Sequence, residues 1–284
     1  MTRVRLQAIG LPLLLAALIG LSGCSAGGFG SKEPTAPDTA ITSYVALGDG
    51  FAAAPYTGRT KGACLRSSDN YAAKVAQALA IPTFTDVSCV GATLKSITDP
   101  SKKPAAPAQI DAVGPDTGLI TLSVGIENND LLAKMFRICV ALPCGTQALP
   151  KPLLDRQAVF EQDLTATVRA LQAKAPNAYV VLVGYPQISP ADVTCGALPD
   201  MSADQLAAAQ IVLNALNAHI QTSARQTGSA YTDVQSLSAD HTACSADPWV
   251  SGKTSEPGKS VAFHPLAAEQ DAVAKVVAQQ VRGR

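Results

Sequence analysis

The chain has 284 residues, with 22 Lys and Arg against 22 Asp and Glu and only three histidines, so its formal charge is zero. Hydrophobic residues make up 47%, enough to bury the core of one domain of ordinary size. No basic patch and no interleaving of basic and aromatic residues occurs, which argues against nucleic acid as a partner.

The chain opens with a targeting pattern. Arg3 and Arg5 precede an apolar run from Leu6 to Leu21 that ends in small residues, as a secretory signal does. Leu21-Ser22-Gly23-Cys24 resembles a bacterial lipobox, in which Cys24 is lipidated and becomes the first mature residue. An ordinary cleaved signal is the alternative. A membrane-spanning anchor is weaker, because the apolar run is short and broken by Pro12. Residues 1–23 are thus read as a lipoprotein signal. Residues 24–41, rich in Gly, Ser, Pro and Ala, are read as a flexible tether, and 42–284 as the folded domain. Losing Arg3 and Arg5 leaves 20 basic against 22 acidic residues, a mature charge of −2. Acyl chains on Cys24 imply a membrane-anchored protein facing the extracellular or periplasmic side.

Within the domain, Tyr44–Leu47 reads as a first strand running into Gly48-Asp49-Gly50. An Ala-rich helix follows over Tyr71–Ala80, with Ser68 and Asp69 as possible caps. Thr83–Val87 is a short strand, and the continuous apolar run Gly118–Val124 a strand covered on both faces. Leu153–Ala173 is a long helix, its Phe160, Leu164, Val168 and Leu171 at helical spacing. Tyr179–Val183 is another buried strand. A helix over Ala203–Arg225, a strand over Ala230–Val234 and a helix over Ala267–Val281 complete the chain. The alternation predicts a three-layer α/β/α sandwich around a mostly parallel sheet, and ligands in such sheets bind beyond the carboxyl ends of the strands. Those ends are Asp49-Gly50, Ser88-Cys89, Gly125 and Gly184-Tyr185.

Besides Cys24 there are six cysteines, an even set that suits disulfides in an exported chain, although six allow 15 pairings. Cys139 and Cys144 bracket a Leu-Pro turn and are expected to bond to each other; Cys64–Cys89 and Cys195–Cys244 are the simplest remainder. A zinc site fits poorly, with no Cys-x-x-Cys pair and no histidine at ligand spacing. No metal or cofactor is expected, and the protein is expected to be a monomer.

Four blocks then carry a resemblance. Val45-Ala46-Leu47-Gly48-Asp49-Gly50, Ser88-Cys89-Val90-Gly91-Ala92-Thr93, Leu122-Ser123-Val124-Gly125-Ile126-Glu127-Asn128-Asn129-Asp130 and Phe263-His264-Pro265 stand in that order at the predicted strand ends. Together they resemble the blocks of the SGNH, or GDSL-type, hydrolases, specifically the exported actinobacterial-type esterases and lipases with three sequential disulfides. The resemblance implies the flavodoxin-like SGNH fold, carboxylic-ester hydrolysis and the roles of the blocks. The first supplies a nucleophilic serine, the second a glycine N–H, the third an asparagine donor and the last a histidine base. Acyl transfer needs this set: an attacking atom, a base for its proton, and donors for the developing oxyanion.

Carried over, His264 is the base, Gly91 a backbone donor, and Asn129 the side-chain donor. Two extra residues, Ile126 and Glu127 or their neighbours, leave Asn128 as the alternative. Asn128–Asp130 could equally be a helix cap before Leu131, and His264 a helix-start histidine. His219, inside a helix, and His241, beside Asp240, are expected at the surface. Family members often carry an aspartate three residues before the histidine, where this chain has Val261; others orient the ring with a backbone carbonyl. The serious departure is Gly50, which stands in the nucleophile's position and has no side chain to attack with. Ser43 lies at the far end of the first strand, roughly 20 Å away. Ser123 is inside a strand, and Ser88 and Thr93 flank the second block. The chain therefore reads as an esterase frame with serine-dependent activity lost or much reduced. A non-catalytic lipoprotein, binding an ester-, acyl- or carboxylate-bearing ligand or an envelope lipid or glycan, or acting as a scaffold, is one alternative. A weak hydrolase using His264-activated water is another. Trp249 lines the pocket or caps the core.

Overall fold

A five-stranded parallel sheet organises the molecule. The structure is a computed structural model that describes residues 40–141, 144–149 and 151–284, with backbone only at 137–141 and 152. The expected signal, Cys24 and the tether through residue 39 lie outside the described residues. The strands are β1 (Ser43–Gly48), β2 (Thr83–Asp86), β3 (Leu119–Ser123), β4 (Tyr179–Val183) and β5 (Ala230–Thr232). Their spatial order is β2-β1-β3-β4-β5, with every pairing parallel.

Side-chain alternation explains the three layers. In β1, Val45 and Leu47 face one side and Tyr44 and Ala46 the other. The first face packs against α3 (Leu94–Thr98), α4 (Leu131–Ala141), α5 (Lys151–Lys174) and α6 (Ala203–Thr227). The second packs against α2 (Tyr71–Ala78), the short α7 (Val234–Leu237) and α8 (Ala267–Arg282). A short α1 (Gly50–Ala53) leaves the end of β1 directly. With both faces covered, the central strands β1, β3 and β4 are mostly apolar, as the sequence suggested for β3 and β4, whereas the edge strand β2 is polar and partly exposed. The three-layer architecture expected from the sequence is the one observed.

Details differ where local chemistry decides. The helix at 71 is capped by Asn70, whose side chain accepts from Ala73 N at 2.9 Å, rather than by Ser68 or Asp69. It stops at Ala78 because Ala80 turns left-handed at φ 50°. Helices α3 and α4 were not assigned from periodicity; α3 is too short to show any. Helix α4 starts at Leu131, directly after Asn128–Asp130, which form a single 3-10 turn.

Two of the expected disulfides are present, Cys64–Cys89 and Cys195–Cys244. The expected Cys139–Cys144 bridge is not among them. Cys144 is a free, half-buried thiol, and the side chain of Cys139 lies outside the described residues. Helix α4 runs through Cys139 to Ala141, and the bracketed Leu142-Pro143 turn lies outside the described residues.

The site is positioned by where β1 ends. The strand order reverses at β1, between β2 and β3, which opens a crevice beyond their carboxyl ends. At that point Gly48 adopts φ 150°, a left-sided conformation that disfavours any side chain. Its N–H donates to Gln109 Oε1 at 2.7 Å, and Gln109 Nε2 donates back to its carbonyl at 2.9 Å. A Cβ here would stand 2.7 Å from Ala52 Cβ and closer still to the Ser123 carbonyl oxygen. Gly48→Ala is therefore expected to destabilise the fold by about 2–4 kcal/mol, combining backbone strain and overpacking. A denaturant titration reads this loss; an unchanged midpoint would show that the turn is not constrained as described.

Candidate active site

The turn after β1 is built on a buried carboxyl. Asp49 is fully buried, and its N–H donates to the Ser123 carbonyl at 2.9 Å. One carboxyl oxygen accepts from Phe51 N at 3.0 Å and so caps α1. The other accepts from the Tyr185 hydroxyl at 2.6 Å, and that hydroxyl itself accepts from Ile126 N at 3.1 Å. Burial pushes the Asp49 carboxyl up to about 7, against the pull of the Tyr185 bond. Both oxygens are spent on holding the turn, which makes Asp49 a structural group.

His264 reaches this turn from the loop before α8. Ser251 N donates to the His264 carbonyl at 3.0 Å, and Ser260 Oγ to the Pro265 carbonyl at 3.0 Å. Phe263 takes a left-handed φ of 58° and stacks on Phe136 at 4.4 Å. The imidazole is 5% exposed and stacks on Phe51 with centroids 5.3 Å apart. Its Nδ1 lies 2.9 Å from the Ala262 carbonyl. A carbonyl only accepts, so Nδ1 carries the hydrogen and Nε2 of the neutral ring presents a lone pair. A backbone carbonyl thus orients the ring, in place of the aspartate that Val261 replaces. Burial holds the imidazole below its usual pKa. Nε2 itself is buried and has no hydrogen-bond partner among the described residues.

Nε2 points at Gly50. A Cβ at position 50 would stand 2.8 Å from His264 Cδ2 and closer still to Nε2. The ring therefore occupies space that a nucleophile's side chain would need. Across from it, Glu127 Oε1 lies 3.9 Å from Nε2. Burial pushes the Glu127 carboxyl up, with a smaller push from Asp130.

The remaining candidates fall into two groups. Gly91, at φ 76°, sits in the loop pinned by Cys64–Cys89 and by Val90 N donating to the Cys64 carbonyl at 3.1 Å. Asn128 is tied to the same block, because its Oδ1 accepts from Leu94 N at 2.8 Å. Its Nδ2 is left as a donor. Asn129 is exposed, with a left-handed φ of 55° and its carbonyl accepting from Lys134 Nζ at 2.5 Å. The hydroxyls near the site are engaged elsewhere: Ser88 Oγ donates to Asp86 Oδ1 at 2.6 Å, and Thr93 bonds within its own helix cap. His219 pairs with Glu161, and His241 stacks on Trp249 at 4.4 Å with its Nδ1 on the Asp247 carbonyl. Neither histidine joins the site. Sequence reading missed Gln109 and the role of Tyr185. The first is 61 residues from its partner and leaves no local signal; the second stands at the fourth predicted strand end.

Comparison with known proteins places the chain among lipases of one family. The model of the GDSL-like Lipase/Acylhydrolase family matches residues 46–272. Lipase 2 of Streptomyces coelicolor is 30% identical over 222 residues, covering 73% of this chain and 75% of that protein. Lipase 1 of the same organism is 29% identical over 95% of this chain and 96% of its own length. Among solved structures, phospholipase A1 from Streptomyces albidoflavus superposes with a TM-score of 0.68 at 26% identity, over 85% of this chain and 99% of that one. An extracellular lipase from Streptomyces rimosus does so with the same score and identity, over 84% and 98%.

Two buried carboxyls give the fold a characteristic pH dependence. Asp49 is raised to about 7, and Glu269, buried in the first turn of α8, is raised to about 8. Each binds its proton more tightly folded than unfolded, so its stabilisation is complete below the usual carboxylate range. It is lost as pH climbs through 7 and 8. His264 acts in the opposite sense on acidification, so each carboxyl is isolated by comparison with a variant. Between pH 5 and 9 the melting temperature of the parent is expected to fall more steeply than that of Asp49→Asn or Glu269→Gln. Parallel curves for parent and variants would contradict the assignment.

Proposed function

Because the chain belongs to the GDSL-like lipase/acylhydrolase family, over residues 46–272, we propose that it is an exported ester-hydrolase homologue whose serine-dependent acyl transfer is lost and whose site now holds an ester-, acyl- or carboxylate-bearing ligand. The observation that carries this reading is the approach of His264 to Gly50: the position of the attacking atom is a glycine, and the imidazole stands where a side chain there would begin. Donors for a carbonyl or carboxylate oxygen remain in the Gly50 and Gly91 N–H groups and in Asn128, whose amide is oriented by Leu94; Asn129 is the more exposed alternative. Beside Gly125 and Asn128 a cavity of about 170 Å³, walled by Leu131, Leu153, Phe160 and Leu216, suits an apolar chain.

The two disulfides fit an exported domain. The Leu21-Ser22-Gly23-Cys24 pattern supports a lipid anchor on Cys24, which would keep the domain on a membrane surface among envelope lipids or glycans. A second reading, slow hydrolysis by water, is favoured by the unpartnered lone pair on His264 Nε2. Enzymes stripped of their nucleophile keep about 10³-fold catalysis over water from the hole and binding alone.

The serine question is settled by assaying nitrophenyl esters with the parent, Gly50→Ser and Gly50→Ser/His264→Ala. The parent is expected to show no burst and no labelling by a fluorophosphonate. Gly50→Ser should gain both, the His264 ring shifting away from position 50 to admit the side chain, and the double variant should lose them. A burst or labelling in the parent would overturn the proposal. Retention of a ligand site is read separately, as saturable protection of the parent against thermal unfolding by a short-chain alkyl phosphonate. Anchoring is read in the host: Cys24→Ala should move the protein from the membrane fraction to the soluble exported fraction, and unchanged fractionation would reject lipidation at Cys24.

A further inference from the structure

Glu127 has no counterpart in the set of roles that the four sequence blocks imply, yet it is the charged side chain that faces His264 Nε2. Its Oε1 stands 3.9 Å from that nitrogen. It falls in the block where the resemblance implies two extra residues, Ile126 and Glu127 or their neighbours, in a chain with Gly50 at the nucleophile's position. The two groups together form a pair of acceptors: a neutral imidazole whose only hydrogen is bound to the Ala262 carbonyl, and a carboxylate. Facing acceptors do not bond each other; they call for a donor held by both. An oxygen about 2.8 Å from each would subtend roughly 88° there, tighter than water's own angle of about 105° and bridged by two slightly bent hydrogen bonds.

Nε2 is buried, whereas the Glu127 side chain beside it is 23% exposed. Phe51 and the Ala262 carbonyl hold the ring in place.

We propose that Glu127 is a catalytic residue of this chain, the base that holds and deprotonates an attacking water beside the vacated position at Gly50. This rests on the second reading above, slow hydrolysis by water. The water oxygen bonds to the ester carbonyl carbon while its proton passes to the Glu127 carboxylate, and His264 accepts the water's second hydrogen as a hydrogen bond. The oxyanion lies on the Gly50 and Gly91 N–H groups. Collapse breaks the carbon–oxygen bond to the alcohol, and the proton on Glu127 goes to the departing alkoxide. No acyl-enzyme forms, and the products are one acid and one alcohol.

The test is steady-state hydrolysis of nitrophenyl acetate by the parent, Glu127→Gln and Glu127→Ala, with melting curves to establish folding. Both variants are expected to lose about 10²-fold or more of the enzyme-dependent rate, the range of general-base catalysis. Added formate should restore part of the rate to Glu127→Ala and none to Glu127→Gln, which a packing role would not produce. An unchanged or raised rate in folded Glu127→Gln overturns the assignment, as does a parent rate equal to that of buffer. In that last case saturable phosphonate binding leaves the ligand-site reading standing, so the two failures are distinguishable.

Discussion

Tyr185 donates its hydroxyl hydrogen to Asp49 across the carboxyl edge of the sheet, and the rest of the site hangs on that bond. It ties the end of β4 to the turn after β1. The same hydroxyl accepts from Ile126 N and so draws in the segment after β3. Gln109 closes the other side by bonding both polar groups of Gly48. Four segments distant in sequence thus converge on one fully buried carboxyl. Such a network is stabilising only when every member is satisfied, because each unpaired polar group in this low-dielectric environment would cost about 1–3 kcal/mol. That condition fixes the position of Gly50, and through it the place where His264 must arrive.

The position of His264 follows from the opposite edge. Its loop is stitched by Ser251 and Ser260, and Phe263 is driven into a left-handed conformation to stack on Phe136. Stacking on Phe51 then couples the ring to the helix that starts at Gly50 itself. Ring and turn are therefore positioned by one another. A side chain at position 50 must push the ring away from Phe51 or displace the turn from Asp49. The absence of a side chain at Gly50 is thereby tied to the observed place of the His264 ring.

Much of this was legible in the sequence because it is written in local pattern. Continuous apolar runs marked β3 and β4, helical spacing marked α5, and block order placed Gly50, Gly91 and His264 at strand ends. What escaped was long-range or short. Gln109 bonds a residue 61 positions away, and Tyr185 bonds one 136 positions away, so neither leaves a periodic trace. Helix α3 spans five residues, fewer than two turns, and cannot show periodicity. The third block was ambiguous for a different reason: two extra residues shift any correspondence between Glu127, Asn128 and Asn129. Only contacts separate their roles, with Asn128 on Leu94 N, Asn129 on Lys134 and Glu127 facing His264.

The lone pair on His264 Nε2 bears on whether this site is a relic. A buried acceptor without a partner costs about 1–3 kcal/mol, and replacing it with an apolar side chain of similar shape removes that cost. A chain under no demand but stability would favour such a replacement, or would supply a donor from a neighbour. Here the surroundings do neither. Nδ1 is fixed by Ala262, Phe51 braces the ring, and Glu127, 3.9 Å from Nε2, is another acceptor-type group. Native proteins break such local rules chiefly where function requires it. The orphaned nitrogen and the carboxylate beside it together offer two acceptors to a donor from outside the chain.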